Sequence, residues 1–296
     1  MGYAQIAGLP AVYGLYGSVL PILFFAVFST SPQFIFGVDA APAALVGSAL
    51  LSMGIESGSE EAMRAVPVLT LFVALWLFAF SYMKAGKLVN YISAPVMGGF
   101  ITGICTTIIL MQIPKLFGGS AGVGEFFELA VHIGESLEKL NLPSLLLGLF
   151  ALFILLLSKK LIPKFPMAVL LMAAGACMTK FLSLKKWGVV TLSAVEPGLM
   201  PFALPDISVI PVREAVMISL SVAIVIMAET LLAENSFAQK NGYRINDNQE
   251  IFAFAMGNLI AALTGCCPIN GSVSRTAMGE QYQARTQLTG IVAGIS

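Results

Sequence analysis

Residues 1–38 of this 296-residue chain carry no charged side chain, and residues 40–55 carry none either. A single carboxylate, Asp39, stands between the two runs, and the first basic residue is Arg64. A soluble domain is roughly 25% charged. This chain is only 11% charged and 57% hydrophobic, with a mean hydropathy of +0.88, so it has too few charges to cover a water-facing surface. The sequence reads as an all-α polytopic membrane protein whose partner is the lipid bilayer. A spanning helix needs about 20 mostly apolar residues. Uncharged runs of that kind lie at 65–83, 88–114, 140–158 and 251–274, with a shorter one at 165–179. Residues 212–234 are apolar except at their two ends, and residues 1–29 read as two passes broken by "GLPAVYGLYG".

The remaining composition mostly excludes. The net charge is zero, which argues against a nucleic-acid surface. Cys105, Cys177, Cys266 and Cys267 have no CxxC spacing and read as small apolar fillers, so neither a metal site nor a cofactor is expected. "GGSAG" (118–122) matches the Gly-x-Ser-x-Gly pattern, but no strand precedes it and an acidic loop is expected after it. Ser120 with His132 is therefore not a hydrolase pair, and no enzyme is expected. The Asn270-Gly271-Ser272 sequon reads as unused, because it falls inside apolar sequence. The N-terminus has no basic n-region and no myristoylation signal. Both ends of the chain lie within apolar sequence, and the chain reads as truncated at both.

Two segments are too short and too interrupted to span. Residues 33–53 read as a β-like "QFIFGV" followed by a short helix, "AAPAALVGSALLSM". Residues 264–281, "TGCCPINGSVSRTAMGEQ", repeat the plan. Paired short segments broken by Gly or Pro are the sequence pointer to a transporter binding site. Loop assignment puts almost every charge outside the hydrocarbon and divides the basic residues nearly evenly between the two sides, so the positive-inside rule does not orient the chain. Three ionisable residues remain at depth: Asp39, Glu229 and Arg275.

A charge at the bilayer centre costs roughly 2.5–3.5 kcal/mol, so it faces a cavity or a partner. Asp39 and Arg275 each open a short helix, whose N-terminus presents free N–H groups and partial positive charge. Arg275 adds a fork suited to oxyanions. The alternatives stay open at this point. Arg275 could be a salt-bridge partner of Asp39 or Glu229, Asp39 a helix cap, and Glu229 an interfacial acid rather than a coupling site.

The longer motifs are more specific. "MGYAQIAGLPAVYGLYGSVLP", "FIFGVDAAPAALVG", "YISAPVMGGFITGICTTIILMQIPKLFG" and "AENSFAQKNGYRINDNQEIFAFAMGNLIAALTGCCPINGSVSRTAMGEQYQARTQLTGIVAGI" resemble the SulP (SLC26) anion transporter family. Within the last, Asn248-Gln249-Glu250, the Gly-Ser-x-Ser-Arg element and the Arg-Thr-Gln-Leu run stand in order.

The resemblance implies a seven-plus-seven inverted-repeat transporter fold with core and gate domains, including two short β-strand/half-helix elements. Core segments 1–4 would occupy residues 1–83, gate segments 5–7 residues 84–182, an extramembrane linker 183–211, and core segments 8–11 residues 212–296. The rest of the gate domain and any cytoplasmic STAS domain would lie outside the chain. The resemblance further implies elevator-type secondary transport of a small anion (sulfate, bicarbonate or dicarboxylate) in the plasma membrane, coupled to protons or sodium, with a homodimer as an allowed assembly. The implied substrate site is Tyr3, Val38, Asp39, Ala40, Gly271, Ser272, Ser274 and Arg275, with Glu229 and Thr230 for the coupling ion. Where the family carries Gly-Pro, this chain has Gly37-Val38 followed by Asp39. Rival readings are a nucleobase–cation symporter on the same fold and a non-transporting scaffold or sensor.

Overall fold

The computed structural model describes residues 2–89, 94–119, 126–162, 165, 167–181, 184–191, 202–281 and 283–295. Its elements in chain order are α1 (Gly2–Ile6), α2 (Tyr13–Tyr16), α3 (Leu20–Phe28), β1 (Phe36–Gly37), α4 (Ala40–Ser52), α5 (Glu60–Tyr82), α6 (Gly86–Val89), α7 (Ala94–Leu116), α8 (Phe126–Glu138), α9 (Leu142–Leu161), α10 (Met167–Phe181), α11 (Val212–Asn241), α12 (Asp247–Leu263), β2 (Asn270–Gly271), α13 (Val273–Gln281) and α14 (Leu288–Ile295). The chain forms two units, Met1–Ile104 with Pro197–Ser296, and Cys105–Glu196.

The first unit is built around α5. Ser59 starts this helix by accepting a hydrogen bond from the Ala62 N–H at 3.1 Å. Glu60 and Glu61 follow in the first turn, against the positive end of the helix dipole. The buried stripe Ala62, Ala65, Val66, Leu69, Val73 and Leu77 has helical spacing and packs on α11 and α12. A triangle of three fully buried rings then ties strand to helix. Phe36 on β1 lies 4.6 Å from Phe25 of α3 and 5.2 Å from Phe254 of α12, and those two rings are 6.1 Å apart. Each such pair adds about 0.5–1.5 kcal/mol beyond area burial.

At 30 residues, α11 is about 45 Å long, against about 30 Å of hydrocarbon. Glu214 near its start and Lys240 near its end are both exposed, while Glu229 is half-buried between them. Gly242 ends the helix in a left-handed conformation, with φ of +74°. By length and composition, α5, α9 and α11 can each cross a membrane.

Within residues 1–29 the break at "GLPAVYGLYG" holds a short helix of its own, α2, between α1 and α3. The uncharged run 251–274 divides where the interrupted segment 264–281 is expected to begin, since α12 stops at Leu263 and Gly265, with φ of +74°, turns the chain toward β2. One sequence expectation changes. The expected acidic loop after "GGSAG" is the helix α8, in which Leu129 and Ile133 share one face at i, i+4 and Leu129 is fully buried. Ser120 itself lies outside the described residues.

In the second unit, Asn141 caps α9 by accepting from the Ser144 N–H at 2.9 Å, and its amide donates to the Trp187 carbonyl at 3.0 Å. Leu146, Phe150 and Phe153 on α9 are each exposed over more than half their surface. Water would penalise such a face, whereas hydrocarbon suits it.

Candidate functional site

The centre of the first unit is a two-stranded antiparallel ladder. Phe36 pairs with Gly271, and Gly37 with Asn270. The Ser272 N–H extends the pairing by donating to the Ile35 carbonyl at 2.9 Å. Each strand leads into a half-helix, β1 into α4 and β2 into α13, so both N-termini are set by one joint.

Side chains fix that joint. Thr276 on α13 accepts from the Ile35 N–H at 3.0 Å through its hydroxyl, which also donates to the Ser272 carbonyl at 2.7 Å. Asn258 on α12 accepts from the Ile269 N–H at 2.9 Å and donates to the Ile269 carbonyl at 3.1 Å, holding the approach to β2. Gly271 has no room for a side chain. A Cβ there would lie 2.3 Å from Phe34 Cε1 and 2.5 Å from Thr230 Cγ2. Gly271→Ala is expected to cost about 1–3 kcal/mol through overpacking, read as a lower Tm in detergent.

Asp39 is the N-cap of α4, with its carboxylate accepting from the Ala40 N–H at 2.8 Å. Arg275 lies in the first turn of α13 and crosses to the other strand, where Nη2 donates to the Val38 carbonyl at 2.8 Å. Gly37 makes this crossing possible, since a Cβ there would sit 3.0 Å from Arg275 Nη1. Arg275 is half-buried and forms no ion pair among the described residues. Asp39 and the Tyr3 phenol lie close enough to act on its charge. The salt-bridge reading of Arg275 thus gives way to a backbone contact, with the Asp39 carboxylate nearby but beyond ion-pair distance, and the cap reading of Asp39 is observed directly.

The other expected residues fall around this pair. Ser272 is buried and lies 3.4 Å from the exposed Ser274, hydroxyl to hydroxyl. The Val38 side chain is buried, Ala40 opens α4, and Tyr3 is 38% exposed on α1. Glu229 and Thr230 on α11 meet β2 rather than the guanidinium. The link is Asn270, which sequence reasoning passed over as an idle sequon. Its amide donates to Glu229 Oε2 at 2.8 Å, while its carbonyl oxygen accepts from the Gly271 N–H at 2.8 Å and from the Thr230 hydroxyl. The signal was available, because an amide in uncharged apolar sequence must find partners for both ends.

Helices long and apolar enough to cross a membrane, with two half-helices meeting at a paired-strand joint, match the segment pattern of transporter folds. The sulfate permease family matches residues 1–296, and the chain belongs to that family. It is 28% identical over 293 residues to a probable sulfate transporter of Mycobacterium tuberculosis, covering 99% of this chain and 52% of that one. Among solved structures, SLC26A9 superposes with a TM-score of 0.90 at 22% identity, over 100% of this chain and 50% of that one. The transmembrane domain of the cyanobacterial bicarbonate transporter BicA gives 0.83 at 19% identity, over 99% of this chain and 75% of that one. These likenesses establish the helical transporter fold, and the chain spans about half the length of the curated relatives it matches.

Proposed function

We propose that the protein is a secondary active transporter of a small anion of the sulfate, bicarbonate or dicarboxylate class, working in the plasma membrane by elevator-type movement with proton or sodium coupling. The observation that carries this reading is Arg275, a half-buried guanidinium without an ion pair among the described residues, in the first turn of α13. A guanidinium fork plus the free N–H groups of a helix start is a receptor for an oxyanion. Ser272, Ser274 and Tyr3 add hydroxyl groups around it, and the Val38–Ala40 backbone closes the opposite side. Glu229 and Thr230, joined through Asn270, form the coupling site. On this reading residues 1–83 and 212–296 belong to the core domain, and residues 84–182 to the gate.

Family membership supports the anion class, as two of the relatives named above are described as a probable sulfate transporter and a bicarbonate transporter. A neutral nucleobase would need free carboxylate and amide groups, whereas Glu229 and Asn270 are bonded to each other. Uptake of radiolabelled sulfate, bicarbonate and uracil into cells expressing the protein in full tests the proposal. Anion uptake without uracil uptake is the expected result; uracil uptake alone, or none at all, contradicts it.

The cap at Asp39 adds a pH prediction. Its carboxylate occupies the N–H group at the start of α4 and repels an approaching anion. Asp39→Asn keeps an acceptor for the Ala40 N–H and removes the charge. The variant should bind anion more tightly at neutral pH and show a flatter pH profile of uptake. Uptake assayed across pH in both proteins checks it, and an unchanged profile would remove Asp39 from the mechanism.

A further inference from the structure

Five residues beyond Glu229 on α11 lies Glu234, which is completely buried, as is Glu250 on α12. Their surroundings are opposite. The Glu250 carboxylate is served by the turn after α3: Oε1 accepts from the Thr30 N–H at 2.5 Å, the Ser31 N–H at 3.1 Å and the Thr30 hydroxyl, while Oε2 accepts from the Ser29 hydroxyl at 2.8 Å and keeps a lone pair for one further donor. Four donors on one carboxyl group mark it as ionised. Neither carboxyl oxygen of Glu234 has any hydrogen-bond partner of this kind.

The charged groups acting on Glu234 are themselves acidic, Glu250 first and Asp247 after it, both from α12. Tyr243, whose hydroxyl lies 3.3 Å from that of Ser31, is the other titratable group facing the pair. Of the other elements packed on α11, α4 carries no charged residue, α5 carries its charges only in its first turns, β2 offers Asn270, and Lys87 on α6 is exposed, as is Lys84 before it. No described lysine or arginine is ion-paired with Glu234 or Glu250.

An ionised carboxylate with no donor and no counter-charge is prohibitively costly in an interior. A carboxylic acid there needs only one acceptor, and an ionised neighbour supplies it. We propose that Glu234 and Glu250 form a proton-binding site, in which Glu234 carries one proton as a carboxylic acid and donates it toward the Glu250 carboxylate. The site is separate from Arg275 and joins α11, α12 and the Ser29–Ser31 turn. Release breaks the Glu234 O–H bond, passes the proton to water and leaves two like charges in the joint, which loosens it.

Infrared spectroscopy of the full protein in nanodiscs tests this. At neutral pH the wild type should show a protonated-carboxyl C=O stretch that shifts in D2O and that Glu234→Gln removes. The double variant Asp39→Asn, Glu229→Gln leaves the pair untouched and should keep the band. Its absence there overturns the proposal, whether or not Glu234→Gln folds. Thermal unfolding gives a second readout. The folded wild type holds a proton that the unfolded chain loses above about pH 4.3, so its folding equilibrium constant should fall as pH rises beyond that, by up to about tenfold per pH unit, with Tm falling alongside, while Glu234→Gln stays flatter. A band unaffected by Glu234→Gln, or sodium raising the wild-type Tm over choline but not that of the variant, overturns the proton assignment.

Discussion

Arg275→Ala is expected to weaken anion binding by about ten- to a hundredfold, the loss of charge-assisted hydrogen bonds worth about 1.5–3 kcal/mol. The fold should survive. Among the described residues the side chain makes one hydrogen bond to the opposite strand, to the Val38 carbonyl, and the ladder keeps its own backbone bonds without it. Removing a half-buried cation that forms no ion pair among the described residues also relieves a desolvation cost. Arg275→Lys should fall between the two, because it restores charge without the fork. Calorimetric titration with sulfate, bicarbonate and a dicarboxylate, alongside Tm, separates lost binding from lost folding. Wild-type affinity in a folded Arg275→Ala variant would move the anion elsewhere.

Glu229→Gln should separate exchange from accumulation. The substitution keeps an oxygen that can accept from the Asn270 amide, so the Glu229–Asn270–Thr230 link and the start of β2 remain in place. What it removes is the charge that a coupled cation or proton would neutralise. Anion-for-anion exchange in proteoliposomes should therefore continue, while uphill uptake under a proton or sodium gradient falls to the passive ratio. A Gln variant that still concentrates anion with wild-type dependence on the gradient would remove Glu229 from coupling.

How much of this was legible in the sequence depended on the distance over which each residue finds its partner. Asp39 was legible because its partner is the next residue's N–H, a local relation that the cap pattern encodes. Arg275 stood out because loop assignment left it as the one basic residue at membrane depth. Asn270 was missed because its partners, Glu229 and Thr230, lie 41 and 40 positions away. Glu234 and Glu250 were missed for a different reason. Each lies at the end of an apolar run, where an acid reads as interfacial, but α11 continues to Asn241 and α12 begins at Asp247, so both acids turn into a helix junction. The helix α8 was hidden by its acidic residues, which mask the Leu129–Ile133 spacing.

The ladder between β1 and β2 is only two residues long on each side, and it works as a keyed joint. Sliding one strand by a single position would put Ser272 or Asn270 where Gly271 now sits between Phe34 and Thr230, and neither fits a gap that excludes even a methyl group. The slip would also turn the faces of the strand over. The two half-helices therefore cannot adjust to each other by small shear. On the elevator-type movement proposed above, they would travel together, and an anion held at their shared base would be carried with its contacts unaltered. Changes elsewhere in the molecule would then alter how fast the site is presented to each side, while its strength would be set at the joint.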